Sequence, residues 1–146
     1  MAIFNVRAYG LLVNEANQLL ITDEKEYGRQ FTKLPGGGVE YGEGLTDCLK
    51  REFLEECDVE IEVLNHFYTT DFFVKSAFGD AQIISVYYRV KAISPLNLSI
   101  KTVAFDFDGE GEVLQAFRWV ALTDLQPEDM TFPIDQHVVK LLKENV

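Results

Sequence analysis

The chain has 146 residues and a mass of 16.6 kDa, the ordinary size of one domain, which can bury a core without disulfides. Its formal net charge of -11 should repel nucleic-acid polymers and anionic membranes. A hydrophobic content of 47% excludes a disordered chain. We therefore expect one folded domain over residues 1–146. The negative net charge does not exclude a small phosphorylated ligand, because a few basic groups or bound cations can make the electrostatic potential inside one cleft positive.

Membrane insertion and secretion are not expected. Apolar runs such as residues 10–13 and 83–88 are too short to span a bilayer, and the N-terminus lacks the features of a secretory signal. The two cysteines, Cys48 and Cys57, lie nine positions apart in one predicted helix, on roughly opposite faces, so they cannot pair. Unpaired thiols that serve packing suit a reducing compartment, and we expect a cytoplasmic protein.

The first quarter of the chain alternates apolar runs with polar breaks. Residues 3–13 and 19–22 are rich in β-branched and aliphatic residues on either side of a polar interruption, which predicts a β-hairpin. Residues 23–30 are polar and predict a loop, and a short apolar piece follows over residues 31–34. Pro35 to Gly38, with three successive glycines, is expected to break regular structure.

The middle of the chain predicts a helix followed by two strands. Gly44 to Cys57 contains good helix formers and no proline. Residues 59–74 and 81–93 are rich in β-branched and aromatic residues, and residues 76–80 form the link between them. The internal helix therefore has strands on both sides.

The last third is predicted to hold one clear strand and a terminal helix. Residues 94–112 contain one candidate strand and an acidic loop from Asp106 to Glu112. Residues 113–122 read as a strand, and residues 133–145 have apolar side chains at a helical spacing after Pro133. The whole pattern is typical of a mixed α/β fold.

On the predicted internal helix, glutamates lie on the same face as the apolar residues of the first turns. At roughly 100° per residue, Glu52, Glu55 and Glu56 extend the stripe of Leu45 and Leu49. A surface helix ordinarily keeps carboxylates opposite its apolar face, and like charges at this spacing repel. A hard divalent cation with oxygen ligands, Mg²⁺ first, would compensate them. The alternative is a solvated acidic face relieved by neighbouring basic residues.

A glycine-rich turn runs directly into this helix. Residues 35–45 read PGGGVEYGEGL, with Glu43 just before the helix start. Glycines let a backbone approach a ligand closely, although a glycine run alone is more often a mere turn. Joined to the acidic helix at this spacing, the turn indicates a functional site.

Residues 37–59 resemble the Nudix box, usually written GX5EX7REUXEEXGU, in which U is a bulky aliphatic residue. The matching positions are Gly37, Glu43, Arg51, Glu52, Glu55, Glu56 and Val59, with Phe53 at the first U position. The box covers about a sixth of the chain. The resemblance implies the Nudix fold, an α/β/α sandwich around mixed β-sheet, and the order of predicted strands agrees with it.

The resemblance also implies a chemistry. A metal-dependent hydrolase of this family cleaves a pyrophosphate bond in a nucleoside diphosphate linked to another moiety, such as a nucleoside triphosphate or a nucleotide sugar. Glu52, Glu55 and Glu56 would bind Mg²⁺ or Mn²⁺, and the carbonyl near Gly37 would join them. Arg51 and Glu43 would form an ion pair that orients the turn against the helix. The general base varies within the family, with Glu52 and Glu55 as candidates here.

Outside the box, Glu112 lies just before the strand that contains Trp119. It resembles a position at which some relatives place a further metal ligand. Asp106, Asp108 and Glu110 lie nearby, and a solvated acidic loop is the alternative for all four.

The chain departs from the family pattern at Asp58, where the box has glycine. That glycine would take a left-handed conformation at the helix end, which aspartate tolerates better than most residues. An anion at a helix C-terminus is mildly unfavourable. We expect a slightly altered helix exit with the presumed ligands unchanged.

The substrate stays open, since residues outside the box distinguish the subfamilies. The aromatic candidates for stacking on a base are Phe4, Tyr9, Phe72, Phe73, Tyr87 and Phe132, and the basic candidates for phosphate contacts are Arg7, Lys33 and Arg89. Each is individually more typical of packing or of the surface. The same holds for His66 and His137 as catalytic groups. A homodimer, common among similar proteins, also stays open.

Two alternatives come from other functional classes. A non-catalytic Nudix-fold module that senses a nucleotide would ordinarily have lost box carboxylates, and this chain keeps them all. A Nudix-fold isomerase acting on an isoprenoid diphosphate would need a catalytic cysteine elsewhere in the fold. Here both cysteines lie in the box helix.

Overall fold

Two four-stranded sheets and two α-helices make up the protein, whose computed structural model describes residues 3–144. The strands are β1 Phe4–Leu12, β2 Gln18–Glu26, β3 Arg29–Lys33, β4 Gly36–Gly38, β5 Ile61–Thr69, β6 Gln82–Ala92, β7 Ile100–Lys101 and β8 Val113–Ala121. The helices are α1 Leu45–Cys57 and α2 Pro133–Glu144, with a short 3₁₀ helix at Pro127–Asp129. The predicted mixed α/β class is confirmed.

The strands and helices form two units. Unit 1 contains the described residues up to Leu12 together with Pro35–Asn97, and unit 2 contains Val13–Leu34 together with the described residues from Leu98 onward.

Unit 1 is a mixed sheet covered by α1. Its strand order is β4-β1-β6-β5, in which β1 and β6 run parallel and the other pairs run antiparallel. Helix α1 lies very close to β1, because a Cβ atom at Gly10 would be 2.5 Å from the Phe53 ring. A glycine at residue 10 is therefore what lets the helix pack directly on the strand.

Helix α1 begins and ends where the sequence predicts. Gly44 is its N-cap, and its buried residues are Cys48, Leu49, Phe53 and Cys57. At the C-terminal end Asp58 adopts the left-handed conformation itself, with φ 49° and ψ 41°, and its N–H donates to the Leu54 carbonyl at 3.1 Å. Asp58 therefore takes the left-handed conformation that the box glycine would take, as aspartate can.

Unit 2 is built on the strand order β3-β2-β8-β7. Strands β2 and β3 form a hairpin across Tyr27 and Gly28, which both have positive φ, at 47° and 85°. A two-residue turn of this kind matches the right-handed twist of paired strands. The loop predicted over residues 23–30 is therefore wrong, because strand residues with polar side chains obscure the pattern on which the prediction rests.

One of those polar residues forms a buried ion pair. Asp23 has no exposed surface and accepts two hydrogen bonds from Arg118 of β8, at 2.6 and 2.9 Å. The Thr32 hydroxyl donates to the same carboxylate at 2.7 Å, and the Phe105 N–H donates at 3.3 Å. Four donors compensate the buried charge, so an aspartate is tolerated in the middle of β2.

Helix α2 carries its apolar residues at the predicted spacing. Ile134, Val138, Val139 and Leu142 are buried, and the Lys143 ammonium donates to the Leu122 carbonyl at 3.0 Å. No helix between residues 3 and 144 is long and apolar enough to cross a membrane.

Two strand predictions fail because pairing is non-local. Strand β1 pairs with β4 and β6, and β2 pairs with β3 and β8. Of the expected hairpin between residues 3–13 and 19–22, only a single antiparallel bridge between Val13 and Leu19 is present. The glycines expected to break regular structure form β4, the edge strand of the unit 1 sheet.

Candidate active site

Strand β4 supplies a main-chain surface at the edge of unit 1. Gly36, Gly37 and Gly38 pair with Tyr9, Ala8 and Arg7 of β1. Gly36 has φ 144°, and a Cβ atom there would be 2.1 Å from the Ala8 carbonyl oxygen. No side chain fits in that position.

The Glu52 carboxylate of α1 lies directly against β4. A Cβ atom at Gly37 would be 2.7 Å from both Cδ and Oε2 of Glu52. Glycine at residue 37 therefore leaves the space that the carboxylate fills, and the predicted adjacency of the glycine-rich turn and the acidic helix is confirmed.

Arg51 ties the turn to the helix. Its Nε and Nη2 atoms donate to the Glu43 carboxylate at 3.0 and 2.7 Å, and Nη2 also donates to the Gly38 carbonyl at 3.0 Å. Glu43 in turn accepts from the Glu40 N–H at 2.9 Å. The ion pair that the resemblance implies is present. Chiefly through the Arg51 hydrogen bonds, the pKa of Glu43 falls from 4.5 to about 2.

The other arm of Arg51 reaches the carboxylates of the helix. Its Nη1 atom donates to Glu52 at 2.8 Å and to Glu55 at 3.2 Å. The hydrogen bonds that Arg51 donates to Glu43, followed by its contacts to Glu52, raise the pKa of Arg51, so the guanidinium stays charged. Arg51 thus carries a positive charge beside four glutamates, the fourth being Glu40, whose Oε2 atom lies 3.9 Å from Arg51 Nε.

The three helix glutamates differ in their surroundings. Glu52 and Glu56 are half-buried in line with the apolar stripe, as predicted, whereas the Glu55 side chain is 59% exposed. The Gly36 N–H donates to Glu56 at 3.2 Å. Sequence reasoning had no access to this main-chain contact, because β4 was not expected to be a strand.

The donor atoms suit a hard divalent cation, and Gly37 leaves one carboxylate against the main chain. Within residues 3–144, no three histidine, cysteine, aspartate or glutamate side chains are gathered closely enough to hold a metal ion. Glu52 and Glu55 contact Arg51 instead, and Glu56 contacts Gly36. The residues fit such a cation by the chemistry of their oxygen donors.

Comparison with protein families shows the family to which the chain belongs. A family description of the NUDIX domain matches residues 4–142, nearly the whole chain. The chain belongs to the NUDIX family. The resemblance carried by residues 37–59 is thereby confirmed, and with it membership of a family of hydrolases.

Solved structures share the Nudix fold. The E. coli ORF135 protein matches over 98% of this chain and 91% of its own, at 15% identity and a TM-score of 0.72. A MutT protein from Methanosarcina mazei Go1 matches over 99% and 96%, at 17% identity and 0.72. A MutT NUDIX hydrolase from Burkholderia pseudomallei matches over 94% and 96%, at 21% identity and 0.69. The predicted fold is confirmed.

The remaining Nudix box positions serve packing. Phe53 and Val59 have no exposed surface, so the aromatic ring at the first U position belongs to the core of unit 1. The Cys48 thiol contacts the carbonyls of Gly37 and Gly38 at 3.8 and 3.6 Å. Burial first, and the Glu43 charge next, raise the pKa of Cys48 to about 11, so its thiol is unsuited to act as a nucleophile.

Glu112 lies in unit 2, exposed immediately before β8, and its carbonyl accepts the Tyr27 N–H at 2.8 Å. In the acidic loop, Asp108 accepts from Lys101 at 2.6 Å, which raises the pKa of Lys101. Asp106 and Glu110 are exposed. The role of Glu112 as a Nudix metal ligand stays a prediction.

The aromatic candidates for base stacking divide into buried and exposed rings. Tyr9 and Tyr87 are buried, with ring centroids 5.3 Å apart. Phe132 packs near Phe31 at 5.4 Å in unit 2. The exposed rings are Phe4, Phe72 and Phe73.

The basic and histidine candidates lie in different surroundings. Lys33 is buried in unit 2 with its ammonium 3.2 Å from Glu24, and Arg89 lies 5.0 Å over the Phe67 ring. His66 is exposed and 2.7 Å from the Thr69 hydroxyl, and His137 lies in α2. Arg7 stands opposite Gly38, beside β4.

Proposed function

We propose that this NUDIX protein is a Mg²⁺- or Mn²⁺-dependent hydrolase of the pyrophosphate bond in a nucleoside diphosphate linked to another moiety, such as a nucleoside triphosphate or a nucleotide sugar. The observation that carries the proposal is the Glu52 carboxylate held against Gly37, with Glu55 and Glu56 on the same helix. Nudix hydrolases in general use divalent metals, and these side chains offer hard oxygen donors.

Glu52, Glu55 and Glu56 would hold the cation together with the Gly37 carbonyl, and Glu112 is the candidate for a further ligand. When bound, the cation neutralises the diphosphate, polarises phosphorus and lowers the pKa of a bound water. Glu52 or Glu55 would serve as general base and would accept the proton of the attacking water.

Arg51 is the positioning residue of this proposal. Its contacts to Glu43 and to the Gly38 carbonyl fix the turn, and its contacts to Glu52 and Glu55 orient those carboxylates. Because each contact is charge-assisted, the guanidinium holds turn and helix in one arrangement.

The surface charge supports a small substrate. A net charge of -11 disfavours nucleic-acid polymers and anionic membranes as partners. The two cysteines are buried and form no disulfide, which suits the reducing cytoplasm. A homodimer is compatible with the proposal.

The test is phosphate-coupled hydrolysis of nucleoside triphosphates, nucleotide sugars, ADP-ribose and dinucleoside polyphosphates with Mg²⁺ or Mn²⁺. Glu55→Gln removes one proposed ligand, and Glu15→Gln, at an exposed turn of unit 2, is the matched control. We expect metal-dependent turnover that Glu55→Gln abolishes and Glu15→Gln preserves. Tight nucleotide binding without turnover would contradict the proposal and favour the sensing module instead.

A further inference from the structure

Unit 2 contains a cavity of about 350 Å³. This volume is at the small end of the range found for small-molecule sites. Ile21 of β2 and Val120 of β8 line the cavity from the sheet, and Leu125 and Met130 line it from the segment after β8. Every lining residue belongs to unit 2, and none belongs to the Nudix box. The cavity is therefore built from residues that the proposed function does not use.

Arg118 offers this cavity a hydrogen-bond donor. Its Nε and Nη2 atoms donate to Asp23, and its side chain is 17% exposed. Among residues 3–144, its Nη1 atom makes no hydrogen bond, and no buried side-chain nitrogen is left without a partner, so Nη1 has access to solvent. Because Arg118 lines the cavity, Nη1 is the donor that the ion pair with Asp23 leaves for a ligand.

Glu128 supplies an acceptor to the same cavity. It is exposed, and its carboxylate makes no hydrogen bond or ion pair with the part of the chain that the structure describes. The neighbouring Asp129 is also exposed and lines the cavity, and its carboxylate accepts the Gln126 N–H at 2.8 Å. The Thr131 hydroxyl accepts the Thr32 N–H at 2.8 Å and keeps its own proton for another acceptor. The cavity thus combines donors with carboxylate acceptors.

Asp23 fixes two walls of the cavity at once. Its carboxylate holds Arg118 of β8, and it accepts the Phe105 N–H at 3.3 Å from the loop before that strand. Phe105, which lines the cavity, has φ 60°, a left-handed conformation that is rare for a bulky side chain. Such conformations persist only where the surroundings enforce them, and they are concentrated at functional sites. The cavity is therefore preformed.

The charges around the cavity limit the ligands that suit it. Asp23 neutralises Arg118, so the carboxylates of Glu128 and Asp129 make the lining negative overall. A phosphate or carboxylate group would be repelled. An ammonium group has no acceptor atom and would leave Arg118 Nη1 unused. What fits is a neutral acceptor for Nη1, such as a carbonyl oxygen, on a molecule that also carries an N–H donor for Glu128.

We propose that this cavity binds a small, uncharged cyclic amide, a planar ring that carries a carbonyl oxygen beside an N–H group. The carbonyl oxygen accepts from Arg118 Nη1, an N–H group donates to Glu128, and the faces of the ring lie against the apolar lining. The proposal is independent of the proposed function, since it uses no residue of the Nudix box.

The test is calorimetric titration with three probes that differ in one property each. Uracil has both the carbonyl and the N–H groups, its doubly N-methylated derivative keeps the carbonyls but has no N–H, and orotate adds a carboxylate to uracil. The variants are Glu128→Ala and Arg118→Lys, and the matched control is Asp124→Ala, at an exposed residue of unit 2 that does not line the cavity. Thermal melting establishes that each variant is folded, and Glu128→Ala serves alone if Arg118→Lys does not fold.

Uracil should bind the unmodified protein with one site per chain. Glu128→Ala should weaken this binding by about 10- to 100-fold, the usual effect of losing a hydrogen bond to a charged group, and Asp124→Ala should leave it unchanged. Methylation of uracil should weaken binding by a similar factor, because it removes the donors for Glu128. Arg118→Lys should also weaken it, since a single nitrogen then has to serve both Asp23 and the ligand.

Absence of saturable uracil binding to the folded, unmodified protein would overturn the proposal. Equal affinities for uracil and its methylated derivative would do the same, and so would unchanged uracil binding in Glu128→Ala, because the ligand would then occupy another site. Orotate that binds more tightly than uracil would show that the cavity takes an anion, against the charge argument.

Discussion

The Glu52 carboxylate and the Cα atom of Gly37 are so close that no side chain at residue 37 would leave Glu52 where it is. The Cβ atom of any other residue would be 2.7 Å from the Glu52 carboxylate carbon. The first glycine of the Nudix box thus acts here through the room it leaves for a glutamate of the same box. Flexibility is not required, because Gly37 lies in a paired strand.

Gly37→Ala should therefore displace Glu52 and weaken Mn²⁺ binding by about 10- to 100-fold, the usual effect of disturbing the surroundings of a metal ligand. Calorimetric titration with Mn²⁺ measures this. Gly79→Ala is the matched control, since a Cβ atom there meets nothing within 4 Å. Equal Mn²⁺ affinity in both variants would show that Glu52 does not need its present position.

Glu43→Gln should lower stability in a pH-dependent way. The pKa of Glu43 is about 2 in the folded protein against an ordinary 4.5, so its ion pair with Arg51 stabilises fully above pH 4.5. As the pH falls from 4.5 towards 2, the unfolded chain takes up the proton first and this stabilisation is lost. The difference in Tm between Glu43→Gln and the unmodified protein should accordingly shrink across this range, as measured by calorimetry. A difference that stays constant from pH 7 to pH 3 would contradict it.

Asp58→Gly should stabilise the protein. Glycine adopts the left-handed conformation at residue 58 without strain, and the substitution removes an anion from the C-terminal end of α1. The free energy of unfolding should rise by about 1 kcal/mol. Urea denaturation measures the gain. Asp58→Ala removes the charge but keeps the Cβ atom, so it should gain less. An equal gain from both variants would assign the effect to charge alone.

Arg118→Ala should destabilise unit 2 by about 3–5 kcal/mol, because it leaves the fully buried Asp23 without its counter-ion. Lys101→Ala removes an ion pair in which the Asp108 side chain is 72% exposed. It should lower the free energy of unfolding by about 1 kcal/mol or less. Urea denaturation of both variants gives the comparison. The double variant Asp23→Ala with Arg118→Ala should recover part of the loss, since no buried charge is left.

Local patterns predicted the helices well and the sheets poorly. The apolar spacing and end signals of α1 and α2 lie within each segment, and so does the composition of β8. Strand β1, however, pairs with β6, whose residues lie about eighty positions later in the chain (Phe4 pairs with Gln82), and no local pattern encodes that choice. Strand β4 consists of three glycines, which have low strand propensity, so its composition does not predict a strand. Its pairing with β1 is what makes it one.

The candidate site was predictable in its residues but not in its contacts. The spacing of Glu52, Glu55 and Glu56 places them on one helix beside the glycine-rich turn, as found. The N–H of Gly36 that holds Glu56, and the Arg51 atom shared by Glu52 and Glu55, depend on side-chain and main-chain positions that only the folded chain defines. The metal and catalytic roles of these residues stay predictions.

The contact between Gly10 and Phe53 extends the requirements of the site to a residue that belongs to no motif. Phe53 is the immediate neighbour of Glu52 on α1, and its ring occupies the position of a side chain at residue 10. A larger residue there would push the helix outward and carry Glu52 away from Gly37. Residue 10 is therefore a remote position from which the Glu52 carboxylate can be displaced without changing any donor atom.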